Sequence, residues 1–206
     1  MGLYRRHVLP RIVDRLCGLG AVAELRAEVV PEAAGCVLEV GFGTGLNLPH
    51  YAPARVTRLV ALEPAAEMLS RARARTTRSP IPLETLALEG ERIPLADASI
   101  DTVVVTFTLC SIEDVAAALA GMRRVLRPDG RLLFCEHGAA PDPATRRWQR
   151  RVNPLWRRAF GGCRLDRDVP ALLGAAGFAV ERLSAGFLPG GPRIASYTYR
   201  GAARPA

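Results

Sequence analysis

The chain has 206 residues, 49% of them hydrophobic, and a formal net charge of +8 at pH 7. Its length and apolar content fit one ordinary domain with a large core. All 28 basic residues are arginine, and the absence of lysine excludes Schiff-base chemistry, a lysine-containing phosphate-binding loop and a lysine general base.

The first predicted elements are two amphipathic helices. Apolar residues recur at helical intervals over residues 3–30 and are interrupted near Gly18 and Gly20. These helices either cover the core, form a lid over a ligand, or make a shallow contact with a membrane through their arginines. The sequence leaves the three alternatives open.

A glycine turn follows a short run of buried-type residues at 36–40. Gly41, Gly43 and Gly45 lie where a strand must turn sharply, so a ligand can approach the backbone closely. The spacing differs from that of a dinucleotide fingerprint, and Glu39 would repel a pyrophosphate. A carboxylate there suits a ligand with cationic groups, such as the amino group and sulfonium of S-adenosylmethionine. Glu63, which ends the next apolar run, is placed to accept the ribose hydroxyls.

From residue 36 onward, strand and helix patterns alternate. We predict helices beginning at 45 and spanning 65–76 and 112–126, the last with Ser111 as N-cap, and strands at 36–40, 58–62, 83–88, 101–107 and 131–135. Two further strands, 178–183 and 194–199, are joined by a loop rich in proline and glycine. The fold class is therefore α/β: a Rossmann-like, doubly wound, mostly parallel seven-stranded sheet with a C-terminal antiparallel hairpin.

Between the fifth strand and the hairpin lies an aromatic and basic stretch at 141–168. Asp142-Pro143 and Asn153-Pro154 each resemble an N-cap followed by proline, which predicts two short helices. Trp148, Val152, Trp156 and Phe160 recur every four residues among arginines. The stripe either packs on the core or caps a substrate pocket. No recognised binding motif accompanies the charge, so a nucleic-acid partner is not favoured.

The chain is predicted to be a single domain in four parts. These are N-terminal helices at 1–32, a cofactor-binding core at 33–138, the helical insertion at 139–170 and the C-terminal hairpin at 171–206. Five scattered cysteines without a C-x-x-C pair indicate reduced thiols, and no stretch resembles a signal peptide, so we expect a cytoplasmic protein. No histidine has a cysteine or carboxylate at metal-ligand spacing, and no metal is assigned. The sequence carries no signal for the oligomeric state.

The motifs together resemble class I S-adenosylmethionine-dependent methyltransferases. A narrower similarity, to the animal thiol S-methyltransferase family and its bacterial relatives, rests on VLEVGFGTGLNLPHY at 37–51, TFTLCSI at 106–112, RRVLRPDGRLLFCEH at 123–137 and NPLWRRAFGGCRLDRD at 153–168. The resemblance implies S-adenosylmethionine as cofactor. It implies that these residues surround it: Glu39, Gly41, Gly43, Asn47, Glu63, Glu89, Gly90, Glu91 and Thr106.

Methyl transfer from this cofactor depends mainly on positioning, because the methyl group is already activated. Glu136 and His137, at the end of the fifth strand, are the candidate proton acceptors. A thiol acceptor needs little help in losing its proton. We therefore expect a methyltransferase for a small apolar acceptor, a thiol first and a quinone or phospholipid headgroup second. A non-catalytic protein that binds S-adenosylmethionine is a further alternative, and a nicotinamide-dependent oxidoreductase is disfavoured by Glu39.

Overall fold

The computed structural model describes Tyr4 and residues 8–206, and its centre is one seven-stranded sheet. The strands are β1 Gly35–Val40, β2 Val56–Leu62, β3 Leu83–Leu86, β4 Ile100–Thr106, β5 Leu126–His137, β6 Phe178–Phe187 and β7 Tyr197–Pro205. Their order is β3-β2-β1-β4-β5-β7-β6, with β7 antiparallel to both β5 and β6 and every other pairing parallel. The predicted fold class is confirmed.

Seven α-helices accompany the sheet in the described part of the chain. They are α1 Leu9–Cys17, α2 Gly20–Val29, α3 Ala66–Thr76, α4 Val115–Val125, α5 Pro143–Ala159, α6 Val169–Ala175 and α7 Arg193–Ser196. None of these described helices combines the length and the apolar character that crossing a membrane requires. The two predicted N-terminal helices are present, although residues 3 and 5–7 of the first lie outside the described residues.

Two apolar cores form, one on each face of the sheet. Leu25 of α2 and Ala72 of α3 are buried on one face, whereas Leu119 of α4 and Leu173 of α6 are buried on the other. Successive strand residues point to opposite faces, so β1 contributes Val37 to the first core and Leu38 and Val40 to the second. Glu39 consequently shares the face of Val37, beneath α2.

The chain reverses its direction of winding between β1 and β4. From β1 it proceeds outward to β2 and β3, and then returns to β4 on the opposite side of β1. The crevice outside the carboxyl ends of the two central strands is where open α/β sheets bind ligands. Gly41, Glu63 and Phe107 follow directly on β1, β2 and β4, so they meet at this edge.

Several predicted boundaries are wrong for local reasons. No α-helix begins at 45, because Pro49 interrupts the backbone ladder, and only a single 3-10 turn forms at Leu48–His50. The N-cap of α4 is Asp114 instead of Ser111, since the Asp114 carboxylate accepts from Ala117 N at 2.9 Å. The last predicted strand begins at Tyr197, because residues 193–196 form α7.

The predicted pair of helices in the insertion is one continuous helix. Asp142 caps α5 as predicted, accepting from Thr145 N at 2.8 Å, but α5 runs through Pro154. Asn153 is not a cap. Its buried side chain accepts from Leu165 N at 3.0 Å and donates to Asp166 Oδ1 at 2.9 Å, which ties α5 to the segment after it. This tertiary contact outweighs the local signal of the Asn-Pro pair.

We predict that Asn153→Ala lowers the free energy of unfolding by roughly 1–3 kcal/mol, because Leu165 N–H and Asp166 lose buried hydrogen bonds. Urea unfolding measures the change. Thr76→Ala is the matched control, since its exposed hydroxyl bonds within its own helix to Arg73 O. An Asn153→Ala protein as stable as the control would contradict this account of how the segment is held.

Candidate active site

A cavity of about 470 Å³ opens at the carboxyl edge of the central strands. Seven of the predicted site residues line it: Gly41, Gly43, Glu63, Glu89, Gly90, Glu91 and Thr106. They come from the segments after β1, β2 and β3 and from the end of β4. The cavity is of the size that small-molecule sites usually have.

The glycine turn forms the floor of the cavity, and its glycines are required by its backbone. Gly41, Gly43 and Gly45 have φ values of 76°, 57° and 77°, which disfavour any residue with a Cβ. A Cβ at Gly41 would lie 2.1 Å from Thr108 Oγ1. The Thr108 side chain fills the space beside Gly41, whereas a Cβ at Gly43 would meet only Gly41 O, at 3.9 Å. A ligand can therefore reach the main chain at Gly43.

Glu63 is held at the cavity by two backbone donors. Its Oε2 accepts from Gly43 N and its Oε1 from Ala65 N, each at 2.9 Å. Burial raises the pKa of Glu63, and the two hydrogen bonds act in the opposite direction. Each oxygen retains a second lone pair, so the carboxylate can still accept from a ligand hydroxyl.

Glu39 and Asn47 lie beneath the turn and are not among the residues that line the cavity. Glu39 accepts from Asn47 Nδ2 at 2.9 Å and from Tyr51 Oη at 2.7 Å, so both of its oxygens are engaged. It points to this side because it shares the strand face of Val37. The two residues thus support the turn from behind, and their contact with the cofactor stays a prediction.

Arg26 of α2 completes this buried network and also lines the cavity. Its Nη1 donates to Asn47 Oδ1 and to Thr106 Oγ1, each at 2.6 Å. The side chain is only 5% exposed, and its Nε has no hydrogen-bond partner in the described structure. A buried guanidinium on the cavity wall is suited to an anionic group of a ligand. Arg26 could not be predicted from the sequence, because one arginine on an amphipathic helix carries no motif.

The first helix also contributes to the cavity, together with the end of α5. Pro10, Asp14 and Cys17 of α1 line it, and Asp14 accepts a hydrogen bond from the Thr44 hydroxyl in the glycine turn. Burial raises the pKa of the Cys17 thiol. Of the predicted functions of the first helix, this placement favours a lid over the ligand.

The aromatic stripe of α5 divides between two environments. Phe160 lines the cavity and stacks on Trp156, with ring centroids 4.1 Å apart. Trp148, three turns of helix earlier, is 56% exposed and takes no part in the cavity. Only the C-terminal end of the stripe is therefore placed to contact a substrate.

Glu136 and His137 are not among the cavity-lining residues either. Glu136 is fully buried, and its Oε1 accepts from Thr108 N at 2.7 Å and from Leu109 N at 3.0 Å. Burial raises the pKa of this carboxyl, although the backbone donors oppose the rise. His137 Nε2 lies 3.1 Å from Cys163 Sγ. Glu136 thus stabilises the loop after β4 through its hydrogen bonds to the loop's backbone.

The buried Glu39 carboxyl should make stability depend on pH. Burial raises its pKa from 4.5 to about 7, against the hydrogen bonds of Tyr51 and Asn47 and the charge of Arg26. The folded protein therefore binds more protons than the unfolded chain between these two values. The free energy of unfolding falls as pH rises through this window, by up to about 3 kcal/mol for this group.

We predict that Glu39→Gln removes this dependence. As pH rises from about 5 to about 7.5, the unfolding free energy of wild type should fall more than that of the variant, which has no carboxyl at this position. Urea titrations at both pH values measure it, and the surface substitution Glu84→Gln is the control. A difference that stays constant with pH would show that burial does not raise the pKa of Glu39.

Comparisons with known proteins agree with this geometry. A family profile described as a methyltransferase domain matches residues 38–134. Thiol S-methyltransferase TMT1B of Rattus norvegicus is 33% identical over 165 residues, which cover 77% of this chain and 68% of the rat protein. The Homo sapiens protein of the same name is 34% identical, and the match again covers 77% of this chain and 68% of the human protein.

Matches to other methyltransferases cover less of the sequence or share only the fold. The ubiquinone/menaquinone biosynthesis C-methyltransferase UbiE of Rubrivivax gelatinosus is 31% identical, over 52% of this chain and 41% of its own. The crystal structure of a SAM-dependent methyltransferase from Aquifex aeolicus has a TM-score of 0.64 at 21% identity, covering 96% of this chain and 98% of that one. The chain belongs to the class I S-adenosylmethionine-dependent methyltransferase family.

Proposed function

We propose that this methyltransferase acts on a small, apolar thiol. S-adenosylmethionine supplies a methyl group that is already activated as a sulfonium substituent, and the acceptor sulfur becomes a thioether. The proton of the thiol passes to solvent before the sulfur attacks. The protein's contribution is to orient the acceptor and exclude water, and such positioning is worth roughly 7–11 kcal/mol in favourable cases.

The residues of the cavity fit the cofactor group by group. Arg26 is a buried cation on the cavity wall, which suits the methionine carboxylate. Gly43 leaves room for the methionine chain at the main chain, and Glu63 accepts the ribose hydroxyls. Glu89, Gly90 and Glu91 form the adenine end of the cavity. In this proposal, Glu39 and Asn47 act indirectly, by holding the turn and Arg26 in place.

The position of Glu136 and His137 outside the cavity lining is the observation that supports a thiol most directly. A carbon acceptor requires a strong base at the methyl position. Glu136 Oε2 and His137 Nδ1 have no hydrogen-bond partner among the described residues, but neither residue lines the cavity where the acceptor would bind. A thiol with a pKa of about 8.5 is partly ionised near neutrality and needs no such base. The similarity to TMT1B over most of the chain supports the same acceptor.

A quinone or phospholipid headgroup is the second candidate acceptor. It is favoured by the partial similarity to UbiE and to the phosphatidylethanolamine N-methyltransferase of Cereibacter sphaeroides, 34% identical over 51% of this chain and 52% of that protein. Both matches cover about half of the chain, whereas the match to TMT1B covers 77%. The thiol is therefore preferred.

Incubation with methyl-labelled S-adenosylmethionine and separate panels of small thiols, quinones and lipids tests the acceptor. We expect labelled thioethers from the apolar thiols. Label only on carbon or nitrogen acceptors would contradict the thiol proposal, and binding without any transfer would indicate a non-catalytic protein. Heat-inactivated protein controls for spontaneous methylation of thiols.

We predict that Glu63→Gln weakens binding of S-adenosylhomocysteine roughly 10- to 100-fold, because a charged acceptor for the ribose hydroxyls is lost. Isothermal titration calorimetry measures the affinity. Glu84→Gln, which changes an exposed carboxylate in the same way, should bind as tightly as wild type. Unchanged affinity in Glu63→Gln would remove Glu63 from the ribose site.

A further inference from the structure

Three side chains that are distant in the sequence meet directly behind the cavity. Cys110 follows β4, His137 ends β5, and Cys163 follows α5. The two sulfur atoms and a ring nitrogen of the histidine all lie within 4.8 Å of one another. Each residue lies in one of the segments that carry the narrower similarity: Cys110 in TFTLCSI, His137 in RRVLRPDGRLLFCEH and Cys163 in NPLWRRAFGGCRLDRD. None of the three residues lines the cavity.

The donor atoms lie close to the spacing that a tetrahedral metal site requires. Zn–S bonds of about 2.3 Å and Zn–N bonds of about 2.0 Å put a nitrogen roughly 3.5 Å from a sulfur, and two sulfurs roughly 3.8 Å apart. The observed separation of His137 Nε2 and Cys163 Sγ is 3.1 Å. Shifts of roughly an ångström or less would therefore bring all three atoms to a common zinc ion.

The cluster is held in place by neighbouring groups. Arg164 N donates to Cys110 O at 2.9 Å, which fastens the two cysteine segments to each other. Trp156 Nε1 donates to Cys163 Sγ at 3.3 Å, the kind of contact that orients a thiolate ligand. Arg167 is buried and donates to Ile112 O, and its Nη1 has no partner among the described residues.

We propose that Cys110, His137 and Cys163 form a zinc site with an open fourth position. Two thiolates and an imidazole are ligands that Zn²⁺ prefers, and three protein ligands with a fourth exchangeable one are typical of catalytic zinc. Binding releases the two thiol protons to solvent and leaves a site without net charge.

The open position would take water, or a thiolate from the acceptor once a side chain between the site and the cavity moves aside. None of the three ligand residues lines the cavity, whereas Ser111 and Phe160 do. Cys110 Sγ lies 3.4 Å from Ser111 Oγ, and Phe160 stacks on Trp156, so these two side chains lie between the proposed metal and the acceptor space. A zinc-bound thiol is deprotonated outright, which would supply the nucleophile without a general base. This use of the site, unlike the site itself, rests on the proposed function.

Metal content of the full chain, purified without a histidine tag and equilibrated with Zn²⁺, tests the site. We expect about one zinc per chain by mass spectrometry of the metal, consistent with a three-ligand site. Cys163→Ser and Cys110→Ser should lose it, whereas Cys36→Ser, a half-buried cysteine on β1, should retain it. Replacement of zinc by Co²⁺ should give thiolate-to-cobalt absorption in wild type and in Cys36→Ser, but not in Cys110→Ser or Cys163→Ser. This spectrum tests ligation even if a variant is unstable.

Three outcomes would overturn the zinc site: no bound metal after equilibration, the same zinc content in both ligand variants, or a Cys110–Cys163 disulfide with no zinc uptake after reduction. Thiol methylation at an undiminished rate by zinc-free protein would remove the metal from the reaction while leaving the proposed function intact. Zinc bound at the three residues without any thiol methylation would support the site and contradict the proposed function.

Discussion

Glu39 and Arg26 are buried together beneath the glycine turn, and neither charge could be buried alone at acceptable cost. Asn47 joins them, donating to Glu39 and accepting from Arg26, while Thr106 accepts from both Asn47 and Arg26. The network therefore links α2, β1, the turn and the end of β4. The shape of the cavity depends on it, because removing one member leaves another buried polar group unpaired.

Glu39 on β1 and Glu136 on β5 are buried carboxyls with similar structural roles on the two sides of β4. Each lies near the end of a strand and accepts hydrogen bonds that hold the loop or turn after a central strand. Neither carboxyl is among the described residues that line the cavity. The chemistry available at the site is consequently that of positioning, and a cofactor with an activated methyl group requires little more. Activation of a thiol acceptor would fall to the metal proposed at Cys110, His137 and Cys163.

The approximate positions of most strands along the chain could be predicted from the sequence because buried strands leave continuous apolar runs between turn residues, and the alternation of strands with helices indicated a mostly parallel sheet. Boundaries failed both for local reasons and where a tertiary contact opposed a local signal. Asn153-Pro154 has the form of a helix start, yet the Asn153 amide is used by Leu165 and Asp166 on another segment. Ser111 lost its predicted capping role locally, because the Asp114 carboxylate accepts from Ala117 N.

The sequence by itself determined the family, the cofactor and the positions of Gly41, Gly43 and Glu63, since these depend on backbone conformation and strand ends that are local. Only the tertiary structure decided that Glu39 lies beneath the glycine turn and outside the cavity lining, because its direction follows from strand alternation beneath α2. Only the tertiary structure brought Arg26 to the cavity and joined Cys110, His137 and Cys163. Side chains from separate segments leave no spacing pattern, and the packing of the sheet's two faces alone makes them neighbours.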